Sequence, residues 1–201
     1  MKPFESFTLV KQPIEAVWLT MRDRLPAVAG SMDDLEGIEL LERVQESEGR
    51  VRLVNRWTAR RRVPAPLQSA LGADVISWLD TAVWDDAGHL CWWRIEPSVL
   101  AGRIECAGQT RYEPAMAGRG TRVTFEGGFA FQGRLLEGAA APLESAAVGF
   151  LETLVATMIP RNLARAVAAA GRLIESQPPR SADRSADQAG VVEAQPRVGE
   201  R

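Results

Sequence analysis

Between Ile38 and Phe131 the chain reads as six strand-like runs in three pairs, each pair closed by a short turn. This hairpin pattern constrains the possible folds more than any other feature. Ile38–Glu46 and Arg50–Ala59 flank Ser47-Glu48-Gly49, Val75–Trp84 and His89–Glu96 flank Asp85–Gly88, and Ile104–Glu113 and Thr121–Phe131 flank Pro114–Gly120. An earlier run, Phe4–Val10, alternates as well. Phe4, Ser6, Thr8 and Val10 share one face, and Glu5, Phe7 and Leu9 share the other. Seven strands joined this way form an antiparallel sheet. One face of such a sheet must be covered, and nearly all the helical signal lies at the two ends of the chain.

At the first end, Pro13 occupies a helix first-turn position, and Ile14, Val17, Trp18, Met21 and Leu25 follow at helical spacing. Pro26 and Gly30 are expected to end that helix, with a turn-rich link, Ser31–Gly37, after it. At the other end, Leu143–Glu175 carries an apolar stripe through Leu143, Ala147, Phe150, Leu151, Leu154, Met158 and Ile159. The stripe continues through Ala166, Val167, Ala170, Leu173 and Ile174. A helix of that length spans roughly 50 Å, and Pro160 inside it predicts a kink. Between the first two hairpins, Val63–Gly72 reads as a short helical insertion or lid. The expected architecture is α+β: a curved seven-stranded antiparallel sheet wrapped around a long C-terminal helix, with a short N-terminal helix.

That order resembles the helix-grip fold of the START-like (SRPBCC) superfamily, which includes birch-pollen-allergen-like proteins, polyketide cyclases and lipid-transfer domains. The resemblance rests on the opening Phe4–Ile14–Val17–Trp18 strand-into-helix and on the closing Leu143–Ile174 helix, and it covers residues 1 to 175. Within the superfamily, the stretch from Asn55-Arg56-Trp57 to Gly72 is similar to the layout of PRELI-type phospholipid-transfer domains. The resemblance implies an apolar cavity between the sheet and the C-terminal helix.

Strand alternation names the residues that would line it. The inward phase of the third strand holds Asn55 and Trp57, and that of the fifth holds Cys91, Trp93 and Ile95. The sixth contributes Cys106, Gly108, Thr110 and Tyr112, and the seventh Phe125, Gly127 and Phe129. From the helix, Phe150, Leu154 and Met158 complete the expected ligand-binding set. The fourth strand is ambiguous, because Trp78 and Trp84 share a phase with Asp80. Gly108 and Gly127 remove bulk in mid-strand among large aromatics, a pattern that fits an apolar pocket with a few polar groups, here Asn55, Thr110 and Tyr112. The competing interpretation makes the glycines bulges and the aromatics plain packing. Hairpin pairing about Ser98–Arg103 sets Cys106 opposite Arg94 rather than Cys91, so both thiols are expected to be reduced and buried.

Composition excludes several chemistries. The 201 residues carry 24 basic and 26 acidic side chains, one histidine and two cysteines. A formal charge of −2 argues against a nucleic-acid partner, and one histidine with two cysteines cannot build a usual zinc site. No catalytic residue, metal ligand or cofactor is assigned. His89 reads as a turn residue, and Glu42 serves as an acid or base only if it faces inward. No apolar run is long enough for a membrane span, and two cysteines point to a reducing cytoplasm. Residues 176–201, with two RSAD repeats and balanced charge, read as a disordered tail. Arg60, Arg61 and Arg62 beside the insertion form a basic edge suited to weak contact with an anionic membrane surface. The leading expectation is binding or transfer of an apolar small molecule or lipid. The alternatives are a polyketide cyclase- or dehydratase-like enzyme using Asn55, Tyr112 and Glu42, and a non-catalytic accessory protein.

Overall fold

Seven strands run antiparallel to their neighbours: β1 (Lys2–Val10), β2 (Leu35–Ser47), β3 (Arg50–Arg62), β4 (Val75–Asp85), β5 (Leu90–Pro97), β6 (Ile104–Ala115) and β7 (Gly120–Phe131). They form one sheet in the order β1-β7-β6-β5-β4-β3-β2. The three hairpins place β2 through β7 side by side, and β1 closes against β7, from Lys2↔Phe129 to Val10↔Thr121. The computed structural model describes residues 2–63, 65, 68, 72–99, 101–132, 141–153 and 159–176. Most of the insertion at 63–72 and residues 177–201 of the expected tail lie outside that set. Within the insertion, Ala65 and Gln68 are helical, and Gln68 Nε2 donates to the Val63 carbonyl over 2.9 Å.

Alternation holds along the inner strands because one phase of each is apolar. Val51, Leu53, Asn55 and Trp57 of β3 are all buried, whereas Arg50, Arg52 and Arg56 point away. On β2 the pairing slips three times, at Leu35/Gly37, Leu40/Glu42 and Gln45/Ser47, which bends that edge strand.

Among the described residues, the helices α1 (Ile14–Asp23), α2 (Leu25–Ala29), α3 (Ala141–Thr153) and α4 (Ile159–Glu175) cover the inner face and the ends of the sheet. Pro26 does not end the first helix as expected. α1 stops at Asp23, and Pro26 lies in the first turn of α2, where its missing N–H leaves nothing unpaired, while Gly30 caps that second helix. The long helix expected over Leu143–Glu175 is described as α3 and α4, with residues 154–158 between them outside the described set. Pro160 is the second described residue of α4. α4 packs on β1, α1 and α2. Its buried side is built from small residues, Ala166, Ala169, Ala170 and Gly171, so its backbone comes close. A Cβ on Gly171 would stand 2.5 Å from Val10 Cγ2.

The core is organised around Trp18 of α1. Its indole is 1% exposed and meets Trp84 at 4.9 Å, Tyr112 at 5.1 Å and His89 at 5.2 Å between ring centroids, all edge-on. The indole N–H donates to Asp86 Oδ1 over 2.7 Å. Arg22, one turn further along α1, also pairs with Asp86 and reaches Asp23 at 2.9 Å.

Two expectations for the sheet are corrected. Cys106 stands opposite Ile95, and Arg94 stands opposite Ala107. Residues paired across strands share a face, so an inward Cys106 requires an inward partner. Gly108 and Gly127 do face each other in register, yet they open no space. A Cβ on Gly108 would collide with the Glu126 carbonyl oxygen and lie 2.5 Å from Trp93 Cζ2. One on Gly127 would lie 2.7 Å from Trp93 Cη2 and 2.9 Å from Phe4 Cζ. The Trp93 indole, stacked on Phe4 at 6.1 Å, occupies the room that the glycines vacate. The register through Gly127 is unbroken, so no bulge explains it either.

Gly108→Ala is therefore expected to cost about 3 kcal/mol or more, because backbone rather than a flexible side chain blocks the new methyl. Urea denaturation of the variant checks this; a loss below about 1 kcal/mol would show that the two strands part easily.

Candidate functional site

The inner face of β3 to β7 and the helices α1, α2 and α4 enclose a cavity that leaves about 40 Å³ for the centres of water-sized molecules. That is room for roughly three waters. Trp57 of β3 and Trp78, Asp80, Ala82 and Trp84 of β4 form one side. Trp93 and Ile95 of β5, Thr110 and Tyr112 of β6 and Phe125 of β7 form the other. Met21, Leu25, Asn162 and Leu163 close it from the helices.

The ambiguity on β4 is resolved by this arrangement. Asp80 shares the inward phase with Trp78, Ala82 and Trp84, and it pairs in register with Asn55 on one side and Ile95 on the other. It is thus a carboxyl in the middle of an aromatic wall. Burial pushes it up from the ordinary 3.8 to about 7, because the charged form loses its hydration. The Trp57 indole N–H pulls in the opposite direction, approaching the carboxyl without reaching hydrogen-bond geometry. Burial likewise holds the thiol of Cys91 and the phenol of Tyr112 well above their ordinary values, and it pushes Cys106 up to about 12. Among the described lining residues, Asp80 alone changes charge near neutrality.

Hydrogen bonding divides the wall into two parts. Trp93 Nε1 donates to Thr110 Oγ1 over 3.1 Å, fully buried, so that side is satisfied and held in place. On the other side, Trp57 Nε1, Trp84 Nε1 and Asp80 Oδ1 are buried with no hydrogen-bond partner among the described residues, and Asn162 Oδ1 at the roof is in the same state. Buried polar atoms are nearly always paired, because an unpaired one costs about 1–3 kcal/mol. Four of them belong to residues that line one small cavity.

Of the residues expected to line a site, Trp57, Trp93, Thr110, Tyr112 and Phe125 border the cavity. Asn55, Cys106 and Phe129 are buried on the same face of the sheet but stand outside its lining, and Gly108 and Gly127 lie beneath Trp93. Phe150 belongs to α3, and its side chain, like Leu154 and Met158, lies outside the described residues. Alternation alone does not find Trp78, Asp80 and Trp84, because a charged residue interrupts an otherwise aromatic phase. The described residues of the roof are Met21, Leu25, Asn162 and Leu163.

The other acid–base candidates lie elsewhere. Glu42 points outward and pairs with Arg52 at 3.0 Å. His89, at φ 46°, sits at the β4–β5 turn with Nε2 2.9 Å from Glu15 Oε1. In the basic cluster, Arg56 is paired with Glu39 at 3.1 Å and Arg62 with Asp74 at 2.6 Å, while Arg60 is exposed.

No protein-family model matches the chain, and no curated protein matches it. Solved structures do. The Zhui aromatase/cyclase from Streptomyces sp. R1128 is similar with a TM-score of 0.59 at 20% identity, over 95% of this chain and 99% of that one. A protein from Thermus thermophilus is similar at 0.57 and 18% identity, over 86% and 97%. Norcoclaurine synthase from Thalictrum flavum is similar at 0.54 and 12% identity, over 88% and 87%.

The position of Asp80 has a consequence for stability. With its value raised in the folded state, the folded chain holds the proton more tightly than the unfolded one. Stability contributed by that proton is complete below about pH 4 and is lost as pH rises to about 7, by at most about 4 kcal/mol. Asp80→Asn should remove this slope. Thermal melting from pH 5 to pH 8 checks it: relative to the variant, the wild-type Tm should fall toward the alkaline end, and parallel curves would contradict the assignment.

Proposed function

From the START-like (SRPBCC) helix-grip fold of the chain, we propose that the protein binds a small apolar molecule in the cavity between the sheet and its helices. The observation that carries this reading is the set of unpartnered polar atoms on an otherwise apolar wall. The indole N–H groups of Trp57 and Trp84 are donors without acceptors, and a ligand carrying one oxygen would supply the acceptor they lack. Aromatic lining with a few convergent polar groups is the general chemistry of small-molecule sites. The narrow space favours a molecule of one ring over a long acyl chain. The binding unit is taken as residues 1–175.

One observation favours a second reading, an acid–base enzyme of the cyclase kind. A carboxyl held near pH 7 inside an apolar cavity is poised to give or take a proton at neutral pH. Of the three groups expected for such an enzyme, Tyr112 borders the cavity, Asn55 is buried beside Asp80, and Glu42 lies outside. Two of the similar structures, an aromatase/cyclase and norcoclaurine synthase, bear the names of enzymes on the same fold. Under this reading Asp80→Asn would abolish turnover while the substrate still bound.

The six indole N–H resonances report on binding directly. Titration of the nitrogen-labelled protein with benzyl alcohol is expected to move those of Trp57 and Trp84, leaving that of Trp92, which is 38% exposed on the outer face, in place. Ala82→Leu, which fills the cavity from its wall, should weaken binding at least tenfold. Unmoved Trp57 and Trp84 signals at saturating ligand would overturn the proposal.

A further inference from the structure

The cavity contains one group that can carry a charge near neutral pH and nothing to balance it. Twenty-four basic side chains are present in the chain, yet none of them is among the described residues of the lining. The neighbours facing Asp80 from each element are uncharged at neutral pH. They are Asn55 and Trp57 on β3, Cys91 and Ile95 on β5, Cys106 and Tyr112 on β6, Met21 and Leu25 on α1 and α2, and Asn162 and Leu163 on α4. Four indoles and one phenol surround the same space. Aromatic faces carry negative charge density and attract cations, most strongly where water is excluded. A carboxylate with a free oxygen in such a setting has a definite complement.

This deepens the small-molecule reading and rests on it: we propose that the ligand carries, beside an acceptor for the indole N–H groups, a cationic alkylammonium group, seated in the aromatic cage with the Asp80 carboxylate as its counter-ion. The unpartnered, buried Oδ1 of Asp80 accepts from the ammonium, and the rings of Trp57, Trp78, Trp84 and Tyr112 replace part of its hydration shell. An anionic ligand is rejected by the same carboxylate. A neutral ligand leaves Asp80 either protonated or unpaired, so it forgoes the largest electrostatic gain the cavity offers.

The discriminating probes are benzylammonium, benzyl alcohol and benzoate, three molecules of nearly one shape and three charges. Calorimetric titration at pH 8, above the Asp80 value and below that of the amine, is expected to rank benzylammonium at least tenfold tighter than benzyl alcohol, with benzoate weakest. Lowering the pH to 5.5 protonates Asp80 and should weaken benzylammonium at least tenfold with little change for the alcohol. Asp80→Asn should erase the preference between the two. Equal or tighter binding of benzyl alcohol at pH 8, or a preference for the amine that survives both the acid pH and Asp80→Asn, would overturn the inference and leave the small-molecule reading intact. Failure of all three probes to bind or to move the Trp57 and Trp84 resonances would overturn both. The pH comparison uses the wild-type protein, so the inference is tested even if the variant folds poorly.

Discussion

The hydrogen bond from the Trp18 indole to Asp86 holds the helical and sheet layers in one register. A tryptophan buried to 1% exposure must find an acceptor for its N–H, and the acceptor available is in the tight turn that joins β4 to β5. The bond therefore ties the first helix to the end of a hairpin some seventy positions later. Arg22 grips the same carboxylate, so the attachment has two points and resists rotation. Trp84 and Tyr112, both wall residues of the cavity, lean edge-on against Trp18. Met21, next along α1, closes the cavity from above. The site thus inherits its shape from a contact outside it.

The two sides of the cavity are built on opposite principles. The Trp93–Thr110 side is closed, satisfied and backed by glycine, with the indole resting on Phe4. The Trp57–Asp80–Trp84 side leaves donors and an acceptor unpaired at the cost of folding energy. Removing Asp80 would relieve that cost, and an apolar residue in its place would pack a more ordinary core. Retaining a destabilising carboxyl in an aromatic wall is intelligible where the group meets something the folded chain does not itself contain.

Much of this was legible from residues alone. The inward phases of β3, β5, β6 and β7 were readable because each alternates cleanly between apolar and polar positions. β4 was not, since Asp80 stands where the pattern calls for an apolar side chain, and period-two reasoning has no means of placing a charge inside. The failure falls on the cavity itself, where the local pattern and the fold disagree. The helical roof escaped for a different reason. An apolar stripe says that a helix is covered without saying by what, and only the fold shows that Asn162 and Leu163 of α4 line the cavity. Pro26 reads as a disruption in the bare sequence, yet it sits in a first turn, a position that proline suits. The predicted pairing of Cys106 with Arg94 missed by one position, which the shared-face requirement alone could have corrected.

The glycine bed under Trp93 separates the dimensions of the cavity from the residues that touch its contents. Gly108 and Gly127 do not line the cavity, yet their missing side chains set how deeply Trp93 sinks into the sheet. A smaller ring at position 93 would leave a recess over bare backbone and enlarge the chamber from behind, with the polar wall opposite unchanged. The bulk of the cavity and the charge on its wall are in this way governed by separate strands. Changes on β5, β6 and β7 can therefore reshape the chamber while the carboxyl on β4 stays where it is.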